Sequence, residues 1–467
     1  VPPGNAVLCT GKPAAAGQWK EEAGIKDLAV MNRIRLWAAV PALLAGLLSC
    51  GRFAQAVVIQ DIVSPKGVHA WFVEDKTVPV LALRFAFKGG AVQDPADRLG
   101  LANLMSNLLD EGAGTLESQP YQQKLDALGA DLAFAAGEDN VTGALKVLAE
   151  NADKAAGLLA LALQQPRFDK EPLDRVREQI IVGIKAEERD PMVIAQKKFA
   201  AELYGRHPYA RPVSGTPASL KTISQADLQA AHRRLLARNN VKIGIVGAIS
   251  KEQAAALVGK IFDALPAKAQ LQPVAPVRPH LGGLTTVHYD MPQTAINLVY
   301  PGVARKDKDY YAAYLLDYVL GGSGLTSRLF TEVREKRGLA YTVRSSLVNR
   351  DYADSLSIAT GTRAPSAQQS LETIRAEVRK IAGNGITEQE LQQAKSYVIG
   401  AYAVQNMGSS GAIAATLVGL QEWGLPIDYI QKREAEINAV SLAAVNAVSR
   451  RIFMVEPAIL MVGPMKD

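Results

Sequence analysis

Two stretches about 217 residues apart spell the same structural unit. Residues Ile223–Gly247 read Ile-Ser-Gln-Ala-Asp-Leu-Gln-Ala-Ala-His-Arg-Arg and later Ile-Gly-Ile-Val-Gly. Residues Val440–Gly463 read Val-Ser-Leu-Ala-Ala-Val-Asn-Ala-Val-Ser-Arg-Arg and later Ile-Leu-Met-Val-Gly. In each, a serine stands at a helix-capping position, a helical stretch ends at an Arg pair, and an apolar strand closes on glycine. The starts of the units agree as well. Val80–Phe87 alternates like a half-buried strand and passes through Gly89-Gly90 into a helix; Thr294–Tyr300 alternates likewise and leads into a helix around Tyr310–Leu320. Agreement at both ends of one period predicts a single folding unit used twice.

Between the units, Ala264–Gly283 carries Pro266, Pro273, Pro276 and Pro279, a spacing that cannot continue a helix and reads as an extended linker. The expected organisation is therefore an N-terminal domain over residues 57–263, a linker over 264–283 and a homologous C-terminal domain over 284–467, with residues 1–56 outside both. Helical patterns fall at Tyr121–Leu128, Asn151–Leu163, Lys170–Glu188, Pro191–Leu203, Ala367–Ala382 and Glu388–Gln405, the last with Thr387 and Glu390 spaced as a capping box. Strands such as Ala130–Ala136 and Val141–Leu148 follow each other closely, which predicts mostly antiparallel pairing and the α+β class.

An apolar fraction of 48% and a charged fraction of 21% are ordinary globular values, so a core can form without staples. Cys9 and Cys50 both precede the folded body, which removes a disulfide framework and a cysteine metal site. Of the net charge of +6, residues 1–56 contribute half, with six Lys/Arg against three Asp/Glu. The rest is scattered, with no basic stripe of the kind a nucleic-acid surface needs.

Met31 reads as a start. Arg33 and Arg35 form a basic region, Leu36–Leu48 an apolar run of 13 residues, and Ala54-Gln55-Ala56 a cleavage signal. The run is short for a membrane span, so the expectation is export to the periplasm with cleavage near Ala56. Leu47-Leu48-Ser49-Cys50 offers the alternative of a lipoprotein anchored at Cys50. Residues 1–30 have no periodic pattern and read as an upstream extension.

Chemistry enters at residues 99–107, Leu-Gly-Leu-Ala-Asn-Leu-Met-Ser-Asn, followed by Glu111-Gly112-Ala113-Gly114-Thr115 and, further on, by His207-Pro208-Tyr209 and Gly215-Thr216-Pro217. In this order and spacing the chain resembles the M16 (pitrilysin-like) zinc metallopeptidases over roughly Ser64–Met465. The resemblance implies a helix bearing His-x-x-Glu-His, whose i, i+4 imidazoles share one face and bind zinc while the Glu acts as base. Here those positions hold Asn103, Ser106 and Asn107. Neutral amides are poor zinc ligands and a serine is no base. The resemblance also implies a third, carboxylate ligand near Gln179–Ala186, a segment without any carboxylate. No two of His69, His207, His232, His280 and His288 are one helical turn apart. No metal is therefore expected in this chain.

A second segment stands intact. Residues 320–341 read Leu-Gly-Gly-Ser-Gly-Leu-Thr-Ser-Arg-Leu-Phe-Thr-Glu-Val-Arg-Glu-Lys-Arg-Gly-Leu-Ala-Tyr, close to the C-terminal-domain signature of M16 peptidases. The resemblance implies an Arg and a Tyr seven positions apart that reach the zinc site from the facing domain, and Arg334 and Tyr341 match that pair. A Tyr hydroxyl can donate to the oxyanion of a peptide under attack, and an Arg fork can orient a carbonyl or carboxylate. Arg328 and Arg337 remain competitors for the Arg role. Gly321-Gly322-Ser323-Gly324 lacks the Lys-Ser/Thr of a phosphate loop and reads as a flexible turn lining a peptide chamber.

The resemblance implies two homologous domains, each a mainly antiparallel sheet packed with helices, that together form half of a clam-shell peptidase chamber. It further implies a heterodimer. A zinc-bearing M16 subunit would supply the metal, this chain would supply Arg334 and Tyr341, and an unfolded peptide would add to an exposed sheet edge by main-chain hydrogen bonds. A non-proteolytic scaffold or peptide-binding protein is the alternative expectation.

Overall fold

The computed structural model describes residues 58–322 and 324–464; the expected export signal, the Ala56 cleavage point, Cys50 and Ser323 lie outside the described residues. Two mixed sheets dominate. The first collects β1 (Gln60–Val63), β2 (His69–Glu74) and β3 (Val80–Lys88). A short hairpin, β4 (Gly112–Ala113) with β5 (Leu116–Glu117), interrupts before β6 (Asp131–Ala136), β7 (Asn140–Leu148) and β8 (Val241–Gly247) complete it. The second sheet holds β9 (Leu284–His288), β10 (Gln293–Pro301), β11 (Ala340–Asn349), β12 (Asp354–Arg363) and β13 (Ala458–Gly463).

The strand orders are β1-β2-β8-β3-β7-β6 and β11-β12-β10-β13-β9. Read from the opposite end, the second order repeats the first, with β6, β7, β3, β8 and β2 matching β11, β12, β10, β13 and β9. The direction of pairing repeats too. β8 runs parallel to β2 and antiparallel to β3, and β13 runs parallel to β9 and antiparallel to β10. The expected duplication and the α+β class are thus visible strand by strand. The serine caps form: Ser224 Oγ accepts from Asp227 N and Ser441 Oγ from Ala444 N, both at 3.2 Å. The closing glycines sit where no side chain fits, because a Cβ on Gly247 would lie 2.6 Å from the Val80 carbonyl and one on Gly463 2.8 Å from that of Gln293.

Each sheet packs one face on its own helices. In the first half, Phe85 and Phe262 meet edge to face at 5.5 Å under the helices Ala152–Gln164 and Lys251–Phe262. In the second, Tyr300 and Phe453 do the same at 5.3 Å beneath the helix Leu442–Phe453. These are separate apolar cores.

The opposite faces are covered by exchange. The helix Ser410–Glu422, from the second half, lies on β3 and β8 of the first. It approaches so closely that a Cβ on Gly244 would stand 2.4 Å from the Ala414 carbonyl, and Gln421 Nε2 donates to Ile243 O at 2.8 Å. Reciprocally, the helix Pro191–Tyr204 from the first half lies on β9 and β13. There Phe199 and Leu203 share an apolar cluster with Leu460 and Val462, and Leu203 O accepts from His280 N at 2.9 Å. The proline-rich stretch after Pro266 carries no helix or strand up to Leu284 and runs between the halves, exchanging hydrogen bonds between Gln272 and Gln93. The equivalent hairpin tips also meet: Asp139 accepts from Tyr209 Oη at 2.7 Å and from Asp351 N at 3.1 Å. Among the described residues no helix is long and apolar enough to cross a membrane.

Candidate functional site

The helix in the zinc-motif position spans only Leu101–Ser106. Gly100 enters it at φ 87°, and the buried Asp94 carboxylate caps it, accepting from Gly100 N at 2.9 Å and Ala102 N at 3.0 Å. Burial pushes the Asp94 carboxyl up to about 7 against the pull of those backbone donors. At the other end three polar side chains are consumed locally. Ser106 is fully buried and donates to Asn103 O at 2.9 Å, while Asn107 Nδ2 donates to the same carbonyl at 2.8 Å and lies 3.3 Å from Asn103 Oδ1. An Asn that returns to the carbonyl four residues back satisfies the helix end and stops it.

This arrangement does not fit zinc. The amides are turned on each other, and the packed helix Lys170–Glu187 presents Gln179–Ala186 without a carboxylate. Among the described residues no three His, Cys, Asp or Glu converge as metal ligands. His232 is a satisfied core residue, its Nε2 at 2.8 Å from Leu163 O.

The corresponding helix of the second half is Tyr310–Asp317. It widens into a π-type turn at Tyr318–Gly322, and a second π-type turn follows at Phe330–Glu335. Such wide turns displace side chains from ordinary helical positions and gather at functional sites. Gly321 and Gly322 therefore belong to a wound turn rather than to the flexible loop expected from sequence, and only Gly324, at φ 64°, has the left-handed backbone of a loop glycine.

The second turn places the Arg334 guanidinium 4.7 Å from the Phe330 ring centre and 4.4 Å from that of Tyr341. Tyr341 stands in a β-bulge: Ala340 pairs with Thr362 and Thr342 with Gly361, leaving Tyr341 without a partner opposite. A bulge re-aims its side chain, and here the ring is 74% exposed over the guanidinium. Cation–π contact of this kind contributes about 0.5–1 kcal/mol at exposed sites. It orders the Arg without occupying its N–H donors, and among the described residues the Arg334 side chain has no ion pair or hydrogen bond.

Its neighbours are committed elsewhere. Arg328 grips Glu390 with two prongs, at 2.6 Å and 2.7 Å, and reaches Glu377 at 3.3 Å. Burial raises the Glu390 carboxyl, yet the Arg328 and Thr387 hydrogen bonds hold it down to about 2. Arg337 is bound to Glu332 at 2.6 Å. Of the three arginines in the segment, Arg334 is the one with an open fork. The resemblance pointed to the Arg334–Tyr341 pair, whereas the bulge, the stacking and the Asp94 cap depend on contacts that no local pattern encodes.

Fold and site together define a duplicated, pitrilysin-like pair of domains whose own zinc positions are filled by amides and a serine. Residues 71–217 match the model of the insulinase-type peptidase family M16, and residues 222–398 that of the peptidase M16 inactive domain. The crystal structure of a peptidase M16 inactive domain from Pseudomonas fluorescens superposes with a TM-score of 0.82 at 28% identity, over 88% of this chain and 98% of that one. A protein named non-peptidase homolog YmxG, from Helicobacter pylori, is 26% identical over 85% of this chain and 91% of its own length. An uncharacterized zinc protease YmxG from Bacillus subtilis is 25% identical over 87% and 98%. The chain belongs to the M16 peptidase family, as an inactive member that lacks the zinc motif.

Proposed function

We propose that this chain is the non-catalytic subunit of a two-chain, exported M16 peptidase, and that it presents Arg334 and Tyr341 to the zinc site of a partner subunit. The observation that carries the reading is the contrast between two sets of polar side chains. Ser106 and Asn107 both donate to the Asn103 carbonyl of their own helix. Arg334 and Tyr341 are stacked, aligned and left with open donors. Polar groups that serve only the fold are ordinarily satisfied within it, so an ordered but uncommitted Arg fork beside an exposed phenol is suited to an external ligand.

In this reading the partner holds the metal and activates water. Tyr341 Oη donates to the oxyanion as the scissile carbonyl becomes tetrahedral, and the Arg334 fork holds a neighbouring carbonyl or carboxylate of the peptide. The peptide itself adds as an extended strand to a sheet edge, which makes sequence selectivity loose.

The experiment measures peptide hydrolysis and zinc content for this chain alone, for a His-x-x-Glu-His-bearing M16 chain alone, and for the mixture. Activity confined to the mixture, with zinc only on the partner, is the expected result. In that mixture Tyr341→Phe should lower turnover by about 10²–10³-fold, the effect of deleting one oxyanion donor, with assembly intact. Unchanged turnover would remove the catalytic role. The relative named a non-peptidase homolog supports a second reading, a scaffold or peptide-binding protein without proteolysis. Failure to bind or stimulate any zinc-bearing M16 chain would favour it.

A further inference from the structure

Asp317 is the last residue of its helix and only 7% exposed, and its Oδ1 has no hydrogen-bond partner among the described residues. A buried carboxyl with an orphaned oxygen is unfavourable, and an apolar residue of similar size is usually tolerated as well or better in such a place. A group of this kind calls for an explanation beyond stability.

Its surroundings are the two pieces that carry the Arg–Tyr pair. A Cβ on Gly322 would lie 3.0 Å from Asp317 Oδ2, so this glycine lets the π-type turn close directly on the carboxyl. A Cβ on Gly321 would lie 2.5 Å from Ser345 N, so the same turn is pressed on β11. Ser345 Oγ donates to Asp317 O at 3.2 Å. Burial raises the Asp317 carboxyl to about 6, with the Ser345 side chain and the Leu347 backbone pulling the other way. Ser345 and Leu347 belong to the strand whose bulge holds Tyr341.

We propose that Asp317 is a positioning residue for the Arg334–Tyr341 pair: its buried carboxyl, on which Gly322 closes, holds the glycine turn that presses at Gly321 on Ser345 of β11, and so sets where the Tyr341 bulge stands. This rests on the reading of Arg334 and Tyr341 as the presented pair. The glycines are then needed for close approach to Asp317, and the carboxyl is retained because an apolar side chain would fill the volume without fixing the strand.

The test places a single fluorotyrosine at position 341 of the full chain and follows its fluorine resonance, which senses the ring's position over the guanidinium. Asp317→Ala and Gly322→Ala should each move the resonance by more than its linewidth, and Asp317→Asn, which keeps the shape and an acceptor, should restore most of the shift. Ser449→Ala is the control, because Ser449 is also buried in the same half but bonds Asn446 O of its own helix at 2.9 Å. If the carboxyl and the glycine act on each other, their effects will be non-additive, and Gly322→Ala will add little in the Asp317→Ala background. Should Asp317→Ala fail to fold, Gly322→Ala combined with Asp317→Asn completes the same cycle. Resonances that stay where the control leaves them, or shifts that simply add, would overturn the proposal. A moved resonance together with no hydrolysis in any mixture would keep the role of Asp317 and discard the subunit reading. An unmoved resonance with active mixtures would do the reverse.

Discussion

The helix Leu101–Ser106 and the helix Tyr310–Asp317 follow corresponding central strands of a duplicated unit, yet they have been put to opposite uses. The first is stopped after six residues, where the Ser106 and Asn107 side chains both fold back on the Asn103 carbonyl. The second runs on into a wide turn and ends over a carboxyl with an orphaned oxygen. One half carries amides and a serine at the zinc-motif positions. The other retains unfavourable features: an unpartnered buried oxygen, two π-type turns, a bulge and an exposed aromatic ring. Among the described residues orphaned buried atoms occur in both halves, at Arg98 and Arg238 as well as at Asp317 and Asp428, so what distinguishes the second place is its wide turns and its bulge, which re-aim the side chains that follow.

Arginine substitutions should break this comparison most sharply. Arg328→Ala leaves Glu377 and Glu390 buried without their cation, and we expect a loss of about 3–5 kcal/mol in the chemical unfolding midpoint analysis. Arg334→Ala, six residues away, should change stability by only about 0.5–1 kcal/mol, since it gives up cation–π contact alone. Equal losses for the two would erase the distinction between a structural and a presented arginine. A second probe addresses how the halves are joined. Gly244→Ala drives a methyl against the Ala414 carbonyl and should destabilise by about 1–3 kcal/mol, read as a lowered melting temperature.

Acid sharpens the contrast further. The Glu390 carboxyl lies below its ordinary value, so the stability it contributes is present above about pH 4.5 and is lost as the pH falls toward 2. Glu390→Gln should flatten that part of the stability profile, and a profile unchanged by the substitution would argue against the pair. The smallest effect is expected at the silent helix. Restoring Asn103→His, Ser106→Glu and Asn107→His together should yield no stoichiometric zinc by metal analysis, because Gln179–Ala186 offers no carboxylate to complete the site. Full zinc occupancy would show that the first half had lost only its ligands and not its geometry.

Much of the architecture was legible because it rests on periodicity. The alternation at Val80–Phe87 and Thr294–Tyr300 marks the two central strands, and the Ser224 and Ser441 caps mark the helices that precede the closing strands. The Thr387–Glu390 capping box forms as spaced. What remained illegible is tertiary. No pattern in Ser410–Glu422 announces that it covers the other half's sheet, since its sequence is apolar on most sides and would suit any buried surface. The glycines at 321 and 322 read as a loop because glycine favours loops, whereas close approach to Asp317 and Ser345 is what requires them. The Arg–Tyr spacing was readable, but the selection of Arg334 over Arg328 and Arg337 rests on Glu377, Glu390 and Glu332 finding their partners in space.

The reciprocal covering of the two sheets has a consequence for the order in which the chain can assemble. A ribosome delivers β3 and β8 well before it delivers Ser410–Glu422, so the first half emerges with an apolar face bare and no local segment to hide it. Pairings between distant segments form late and leave such surfaces open to misassembly. Neither half is then a folding unit in its own right, despite having its own core. A truncation after the first half should therefore leave the first sheet without its cover.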